Sequence, residues 1–381
     1  MKRVLCFLFL IVISVIIEIS FSNTAHAEIQ NNIPSTSAKG MILIEKTTGR
    51  VLAEKNADEQ LSIASTTKIV TALTVLNNCD DIKRVVTIDR KCVGIEGTSI
   101  YLREGEKLTI EDLLHGLMLR SGNDAAVALA YAIGGSIENF CCMMNETAKQ
   151  CGAAGCNFTN PHGLEQEGHH CSARDLAKIS RFAMQNKEFA RIVGTKQYRI
   201  AASDDTIGRV LQNKNKLLTR LDGADGVKTG FTKKAGRCLV SSCTRDGMTL
   251  ICVVLNCGPM WEESERLIEY GFKSYSMKEL LQPYFVCGTI DVQNSDKESV
   301  EVFSIKGFSY PMTNEEYQKA SVSFDYPTTL QAPVQKEKIV GKVSIKLNND
   351  LLFEENIYTM EEVKSKFVRS GLKDLIYNWF R

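Results

Sequence analysis

Strand-forming segments stand at both ends of the first 280 residues, and most of the sequence between them has helical character. Residues 41–44 and 51–53 predict two strands joined by a turn, and residues 238–240 and 250–255 predict a hairpin. Such a chain forms a sheet packed against a cluster of helices. We therefore predict an α/β (α+β) domain over residues 41–280.

The helical part contains signals for helix starts and ends. Ile69, Leu73 and Leu76 recur at helical spacing, and Gly134 follows an Ala-rich stretch as a typical helix end. Thr109–Asp112 and Ser172–Asp175 are capping-box patterns that predict helix starts. Trp261–Tyr270 predicts a further helix, which could cover the sheet.

The sequence changes character near Pro283. Apolar and polar residues then alternate, as at Val300/Val302 and Val343/Ile345, and helical periodicity is weak. This pattern predicts a small all-β domain over residues 283–355.

The first 27 residues have the features of a secretory signal peptide. Lys2 and Arg3 precede an apolar run over residues 4–17, and Ala25-His26-Ala27 provides a cleavage pattern. An uncleaved membrane anchor is the alternative, but the run is short for a spanning helix. We expect cleavage, a polar lead-in at residues 28–40, and an exported protein.

The last segment, residues 359–381, predicts an amphipathic helix. A tryptophan and basic residues on such a helix favour the membrane interface, so we expect peripheral attachment to the outer face of the cytoplasmic membrane. A final helix packed on the protein is the alternative. The predicted apolar face consists of Val368, Leu372, Leu375, Ile376 and Trp379.

Charge and cysteine content exclude some classes of function. The chain has 46 basic and 45 acidic side chains, so we expect no nucleic-acid partner. Of the 13 cysteines, all but Cys6 follow the predicted signal peptide. These twelve could form disulfides, but many lie in apolar stretches and are interpreted mainly as buried thiols. Zinc-ligand spacing is lacking, and we expect no metal and no cofactor.

Three short elements carry the groups of a serine acyl-transfer enzyme. In Ser65-Thr66-Thr67-Lys68, Ser65 and Lys68 share one helix face, so the lysine could take the serine proton. Lysine acts as a base only if burial or a neighbouring cation lowers its pKa. Alone, the motif is equally compatible with an ordinary capped helix start.

The other two elements could bind substrate. Ser121-Gly122-Asn123 offers a hydroxyl that can relay a proton and an amide that can bind a peptide bond. Lys228-Thr229-Gly230 could hold a substrate carboxylate, and its glycine would leave room for substrate along the strand. Each alone has a structural explanation, but the ordered set is typical of penicillin-binding proteins and class A β-lactamases.

The chain resembles the low-molecular-weight penicillin-binding proteins, the serine-type D-alanyl-D-alanine carboxypeptidases. The resemblance extends over roughly residues 38–275 and more loosely beyond, and it implies a β-lactamase/transpeptidase-like fold for the first domain. Its signatures are Ile63–Ile69, Gly116–Ala126, Asn160–Leu164 and Asp225–Gly230.

The resemblance also implies roles for individual residues. Ser65 would form the acyl ester, Lys68 would take its proton, and Ser121 would link the lysines and return a proton to the leaving group. The remaining assignments concern substrate. Asn123 would bind its amide, and Lys228, Thr229 and Gly230 would bind its carboxylate end. The backbone N–H groups of Ser65 and Phe231 would stabilise the oxyanion.

The predicted reaction is hydrolysis of the D-alanyl-D-alanine end of peptidoglycan stem pentapeptides, with β-lactams as covalent inhibitors. Alternatives are a β-lactamase, an endopeptidase or transpeptidase on the same site, and a non-catalytic β-lactam-sensing wall-binding protein. The extra β-domain and the lack of a Glu-x-x-x-Asn element argue against a β-lactamase. We interpret His162, His169 and His170 as structural or exposed, because Lys68 already fills the role of base.

Overall fold

A computed structural model describes residues 33–366. The predicted signal peptide (residues 1–27) and the predicted apolar face between Val368 and Trp379 lie outside the described residues. The strands are β1 Gly40–Glu45, β2 Val51–Lys55, β3 Val85–Thr87, β4 Lys107–Thr109, β5 Gln197–Ile200, β6 Arg209–Gln212, β7 Ala224–Thr232, β8 Gly236–Arg245, β9 Met248–Leu255, β10 Ser276–Leu281, β11 Val286–Gln293, β12 Ser299–Ser304, β13 Phe308–Met312, β14 Ala320–Asp325, β15 Thr329–Gln331, β16 Ile339–Leu347 and β17 Asp350–Thr359.

Most of the helices lie between β2 and β7. They are α1 Lys68–Asn77, α2 Ile110–Leu119, α3 Asn123–Gly134, α4 Ile137–Gln150, α5 Ala173–Ala183, α6 Lys187–Gly194, α7 Leu217–Arg220, α8 Met260–Ser274 and α9 Asn314–Lys319, with short 3-10 turns at Ala64–Thr67 and Arg90–Cys92. Among the described residues no single helix is long and apolar enough to cross a bilayer, and α3 with α4 pass that test only together, across an 87° bend.

The central sheet has the strand order β2-β1-β9-β8-β7, and every neighbouring pair is antiparallel. The two hairpins predicted from sequence are confirmed as β1–β2 and β8–β9. Strand β9 is buried along its whole length, because both faces of the sheet are covered. Ile42 and Val253 point into a core shared with α1–α6, whereas Leu43 and Cys252 point into a second core shared with α8.

The predicted helix signals are also confirmed. Thr109 and Asp112 form a complete capping box at the start of α2, and the Ser172 side chain accepts a hydrogen bond from the Asp175 N–H at the start of α5. Helix α3 ends at Gly135, whose φ of 73° is left-handed.

The polar lead-in has no regular secondary structure from residue 33 to 39, yet it is tied to the sheet-covering helix. The Ser37 hydroxyl donates to Glu263 Oε1 at 2.8 Å, and the Ser37 N–H donates to the same carboxylate at 3.1 Å. Burial tends to raise the pKa of Glu263, but hydrogen bonds from Thr36, Cys257 and Ser37 outweigh it and lower this pKa to about 2.

The C-terminal part forms a second, six-stranded sheet in the order β14-β16-β17-β12-β11-β15, in which only β11 and β15 are parallel. Alternate residues such as Val300, Val302, Val343 and Ile345 form its core, as their spacing predicts. Strands β10 and β13, which precede and follow β11–β12 along the chain, form a separate antiparallel pair. Arg50 of the first domain donates a hydrogen bond to the Pro311 carbonyl of β13.

The predicted start of the terminal helix at residue 359 is wrong. Thr359 is the last residue of β17, Val363 pairs with Val334, and Ser365 pairs with Ser295. From Thr359 to residue 366 the chain is not helical, and its backbone groups bond to residues of the C-terminal part, for example the Met360 N–H to the Glu301 carbonyl at 2.8 Å. Any amphipathic helix must begin beyond residue 366.

Candidate active site

Ser65 lies in the 3-10 turn that leads directly into α1. The preceding residue, Ala64, has a φ of 47°, which is uncommon for a residue with a side chain. Two side chains hold the turn: Thr66 Oγ1 donates to the Ile63 carbonyl at 2.6 Å, and Thr67 Oγ1 donates to the Ala64 carbonyl at 2.8 Å. The turn leaves Ser65 partly exposed while its neighbours are buried.

Lys68 is fully buried one turn beyond Ser65. Its Nζ lies 3.0 Å from Ser65 Oγ, 2.7 Å from Asn123 Oδ1 and 2.6 Å from the His162 carbonyl oxygen. Two of these partners are pure acceptors. A neutral amine has two N–H donors and one lone pair, so it can satisfy both carbonyl oxygens and still accept the Ser65 hydroxyl proton.

The electrostatic surroundings favour this neutral form. Burial lowers the pKa of Lys68 well below its ordinary value, and the positive charges of Lys228 and Lys214 lower it further. Asp124 acts in the opposite sense, but its carboxylate is occupied by the backbone N–H groups of Ile100 and Leu102 at 3.0 Å. The sequence motif predicts this pair of causes, burial and a second cation, for a lysine base.

Asn123 begins α3 and is buried with both ends of its amide in use. Its Oδ1 accepts from Lys68, and its Nδ2 donates to the Glu96 carbonyl at 2.6 Å. The primary amide has a second N–H, so one donor remains for a substrate carbonyl. Gly97 makes this contact possible, since a Cβ there would lie 2.7 Å from Asn123 Nδ2.

Ser121 is buried two residues before Asn123, with a left-handed φ of 63°. The described part of the chain shows no hydrogen bond between Ser121 Oγ and the Nζ of Lys68 or Lys228. The structure therefore does not show the direct link between the lysines that the resemblance implies, although Ser121 stands in the same turn as Asn123.

The third element lies on the edge strand β7, where Lys228 is buried and Thr229 is partly exposed. Burial first, and then the charge of Lys214, lowers the pKa of Lys228 to about 7. Its Nζ donates to the Thr229 carbonyl at 2.8 Å. A substrate carboxylate would supply the counter-charge that this ammonium lacks.

Gly230 packs closely on the nucleophile turn. A Cβ at this position would stand 3.0 Å from the Ser65 nitrogen and 3.1 Å from the Ile63 oxygen. The glycine therefore lets β7 pack on this turn, and its role in leaving room for substrate stays a prediction. This packing places the Ser65 N–H against the strand that carries the Phe231 N–H, while the Phe231 side chain is 64% exposed.

Sequence reasoning gave no role in the site to Lys214 or to the carbonyl of His162. Lys214 acts through its charge on both buried lysines, and its backbone N–H donates to the Leu119 carbonyl at 3.1 Å. No short motif marks it. The His162 carbonyl lies in the Asn160–Leu164 signature, and backbone groups leave no direct trace in a sequence.

Gly163 explains part of that signature. Its φ is 85°, and a Cβ would lie 2.0 Å from the Ala64 carbonyl oxygen, so the loop touches the nucleophile turn through a glycine. Asn160 Oδ1 accepts from the Gly163 N–H at 2.7 Å and fixes the turn. The loop is therefore part of the site's framework.

Two of the three histidines have structural contacts. His169 is buried, with Nε2 2.8 Å from Thr67 Oγ1, and burial lowers its pKa to about 4. Burial, and then the charge of Lys68, lowers the pKa of His162 to about 3, and its Nδ1 accepts from the Leu164 N–H. Neither is placed as an acid–base group at Ser65. Within residues 33–366 no cluster of His, Cys, Asp or Glu side chains could hold a metal ion.

The sequence profile of the family described as D-alanyl-D-alanine carboxypeptidase matches residues 25–258. The chain belongs to this family. A second profile, described as the C-terminal domain of penicillin-binding protein 5, matches residues 275–365. Members of the carboxypeptidase family are serine-type hydrolases, and peptidoglycan and β-lactams are the ligands expected of them.

Individual relatives agree with the family profile. D-alanyl-D-alanine carboxypeptidase DacF of Bacillus subtilis (strain 168) is 30% identical over 351 residues, which are 90% of this chain and 90% of that protein. D-alanyl-D-alanine carboxypeptidase DacC of Escherichia coli (strain K12) is 33% identical in an alignment of 384 positions that covers 94% of this chain and 94% of that protein.

The crystal structure of penicillin-binding protein 5 from Haemophilus influenzae matches with a TM-score of 0.72 at 28% identity, covering 87% of this chain and 99% of that one. The predicted fold class is thus confirmed for this member of the carboxypeptidase family: a transpeptidase-like domain followed by an all-β domain. The family also supports the carboxypeptidase prediction over the alternative reactions.

Proposed function

We propose that this carboxypeptidase removes the terminal D-alanine of peptidoglycan pentapeptides through an acyl ester on Ser65. The observation that carries the proposal is the environment of Lys68. This buried amine has no carboxylate partner within residues 33–366. Two carbonyl oxygens hold it, and its Nζ lies 3.0 Å from Ser65 Oγ. This arrangement suits a general base that activates a serine.

In the acylation step, Lys68 takes the Ser65 proton as Oγ attacks the carbonyl carbon of the penultimate D-alanine. The oxyanion that develops is stabilised by the backbone N–H groups of Ser65 and Phe231. The close packing of Gly230, the residue before Phe231, on the Ser65 turn supports this assignment. Lys68 then carries a charge close to Lys228. Repulsion between the two ammonium groups favours passing the proton on to the leaving amine, by way of the Ser121 hydroxyl.

Recognition of the substrate rests on its free carboxylate. Lys228 and Thr229 bind the carboxylate, and the charge of Lys214 adds to the attraction. The unused N–H of Asn123 Nδ2 donates to the amide carbonyl of the penultimate residue.

Hydrolysis completes the cycle when water replaces the departed D-alanine and attacks the acyl ester. Lys68 again serves as the base, since it returns to the neutral form after the proton has left. β-Lactams acylate the same serine because their carboxylate and strained amide occupy the positions of the terminal D-alanine and the scissile bond.

We further propose that the protein works outside the cytoplasm at the membrane surface. The amino-terminal pattern of residues 1–27 supports export. The apolar face between Val368 and Trp379 supports peripheral attachment, with its helix beginning after residue 366. These positions would place the active site next to newly made wall peptides.

The test combines Ser65→Ala with a matched control, Ser203→Ala, at an exposed position remote from the site. Intact-protein mass spectrometry after incubation with penicillin should show one adduct on the wild type and the control, and none on Ser65→Ala. Release of D-alanine from a muropeptide pentapeptide should follow the same pattern. D-alanine release by folded Ser65→Ala protein would refute the mechanism.

A further inference from the structure

Two cysteines face each other at the base of the loop that touches the catalytic lysine. Asn157 and His170 exchange both backbone hydrogen bonds, at 2.9 Å and 3.0 Å, so they form a hydrogen-bonded antiparallel pair. The bridge is isolated, and its antiparallel register puts Cys156 opposite Cys171 one residue further out. In such a non-hydrogen-bonded pair the Cα atoms are about 4.5 Å apart and the side chains point to the same face.

This separation falls within the range that a disulfide requires, about 4.4–6.8 Å between Cα atoms. Both residues are thiols in the structure. Cys171 is fully buried; burial first, and then contact with the Cys156 side chain, raises the pKa of its thiol well above the ordinary value. The two thiol side chains are therefore neighbours.

The two thiols differ in access. Cys156 is only partly buried and lines a surface groove beside Cys142, Asn145 and Ala154. Its Sγ contacts the Ala153 carbonyl at 3.6 Å. A reagent from solvent can thus reach Cys156, whereas Cys171 can react only with what is already bound to Cys156.

The loop that this pair encloses, residues 157–170, supports the catalytic turn at several points. It provides the His162 carbonyl to Lys68, the close approach of Gly163 to Ala64, and the 2.8 Å contact of His169 with Thr67. On its other side, Cys171 exchanges both backbone hydrogen bonds with Leu61, four residues before Ser65.

We propose that Cys156 and Cys171 form a reversible disulfide that fixes the base of the loop at residues 157–170. The oxidant is a disulfide of the thiol-exchange class. The Cys156 thiolate attacks one sulfur of the oxidant, forming a mixed disulfide and releasing the first thiol. Cys171 then attacks Cys156 Sγ, displacing the second thiol. The two cysteine protons leave with the two released thiols, so two thiols are oxidised and one disulfide is reduced.

The disulfide would join the two ends of the loop at residues 157–170. Cross-linking ends 15 residues apart removes disorder from the unfolded chain and resists local opening of the loop. The carbonyl that binds Lys68 is then held in place in the oxidised form and freer in the reduced form. This inference does not rest on the proposed reaction, because its tests measure a covalent bond and the stability of a segment.

The experiment uses oxidised glutathione as the probe on the protein with residues 28–381. After oxidation, free thiols are blocked at low pH, and proteolytic peptides are identified by mass spectrometry without reduction. The expected product is a peptide pair joined through Cys156 and Cys171. The thermal midpoint should rise by about 6–12 °C, and hydrogen exchange of residues 157–170 should slow.

The matched control is Cys151→Ser, which removes a different thiol close to Cys156 and should leave the bond and the shift intact. Cys156→Ser should abolish both, and its own midpoint should not respond to glutathione. A bond between Cys151 and Cys156, a stable glutathione adduct on Cys156, or unchanged thiols would each overturn the proposal. Because Cys156 is partly exposed, its serine variant is expected to fold.

Discussion

Replacing Asn123 by aspartate probes the protonation of Lys68 with almost no change of shape. The new carboxylate would lie about 2.7 Å from Lys68 Nζ, the distance of the present Oδ1. At an effective dielectric constant of about 20, opposite charges at that separation attract by about 6 kcal/mol. Since 1.4 kcal/mol is tenfold, the neutral amine becomes rarer by roughly four powers of ten, and acylation at pH 7 should fall accordingly.

The sign of the pH dependence is the decisive part. A neighbouring anion raises the pKa of Lys68, so the neutral base returns only at higher pH. The second-order rate of acylation by a fluorescent penicillin should therefore rise about tenfold per pH unit in Asn123→Asp, measured from pH 6 to 10. Asn123→Ala loses the same positioning contact without adding charge, and its rate should show no such recovery.

Controls separate electrostatics from misfolding. Asn186→Asp places the same substitution at the start of α6, where aspartate caps as well as asparagine, and should leave the rate and the melting curve unchanged. Asn123→Asp also removes the N–H that donates to the Glu96 carbonyl, and this loss can lower the rate by itself. The pH profile is therefore more informative than a single rate, because only the added charge makes the rate recover at high pH. The reasoning would be refuted by a variant within tenfold of wild type at pH 7, or by a loss that high pH does not reverse.

Three further results are expected. Gly163→Ala forces a Cβ onto the Ala64 carbonyl, so it should lower the free energy of unfolding by roughly 2–4 kcal/mol and slow acylation. The control Gly152→Ala is also at positive φ but in open space. It should lower the free energy of unfolding, measured by thermal unfolding, by about 1 kcal/mol and leave acylation unchanged. Lys228→Ala should reduce kcat/KM for peptides with a free carboxylate by at least tenfold more than for their amidated forms; equal losses would contradict its role. Deleting residues 367–381 should release the mature protein from vesicles with activity retained, and continued binding would point instead to an uncleaved amino terminus.

Much of the fold was predictable because its signals are local. The β1–β2 and β8–β9 hairpins, the Thr109 cap and the alternation in β12 and β16 each depend on residues within one element. The error at residue 359 has the opposite origin. The segment that follows has helical periodicity, but the partners of Val363 and Ser365 lie at least 29 residues earlier in the chain, and no local pattern announces such pairing.

The active site divides in the same way. The motifs at Ser65, Ser121 and Lys228 could be recognised from the sequence because the chemistry requires those side chains in that order. The close packing of Gly230 could not, since the atoms that it approaches belong to the nucleophile turn. The same holds for the His162 carbonyl, because a backbone oxygen has no residue type to mark it.

The sequence by itself determined which groups react: a serine, a lysine three residues later, and a second lysine on a strand. Only the tertiary structure decided that the first lysine can be a base. Its proton affinity depends on complete burial, on the absence of a carboxylate partner among the described residues, and on charges from Lys228 and Lys214. Solvent exclusion and the field of distant charges are properties of the packed chain, so a motif can indicate the nucleophile but not its activation.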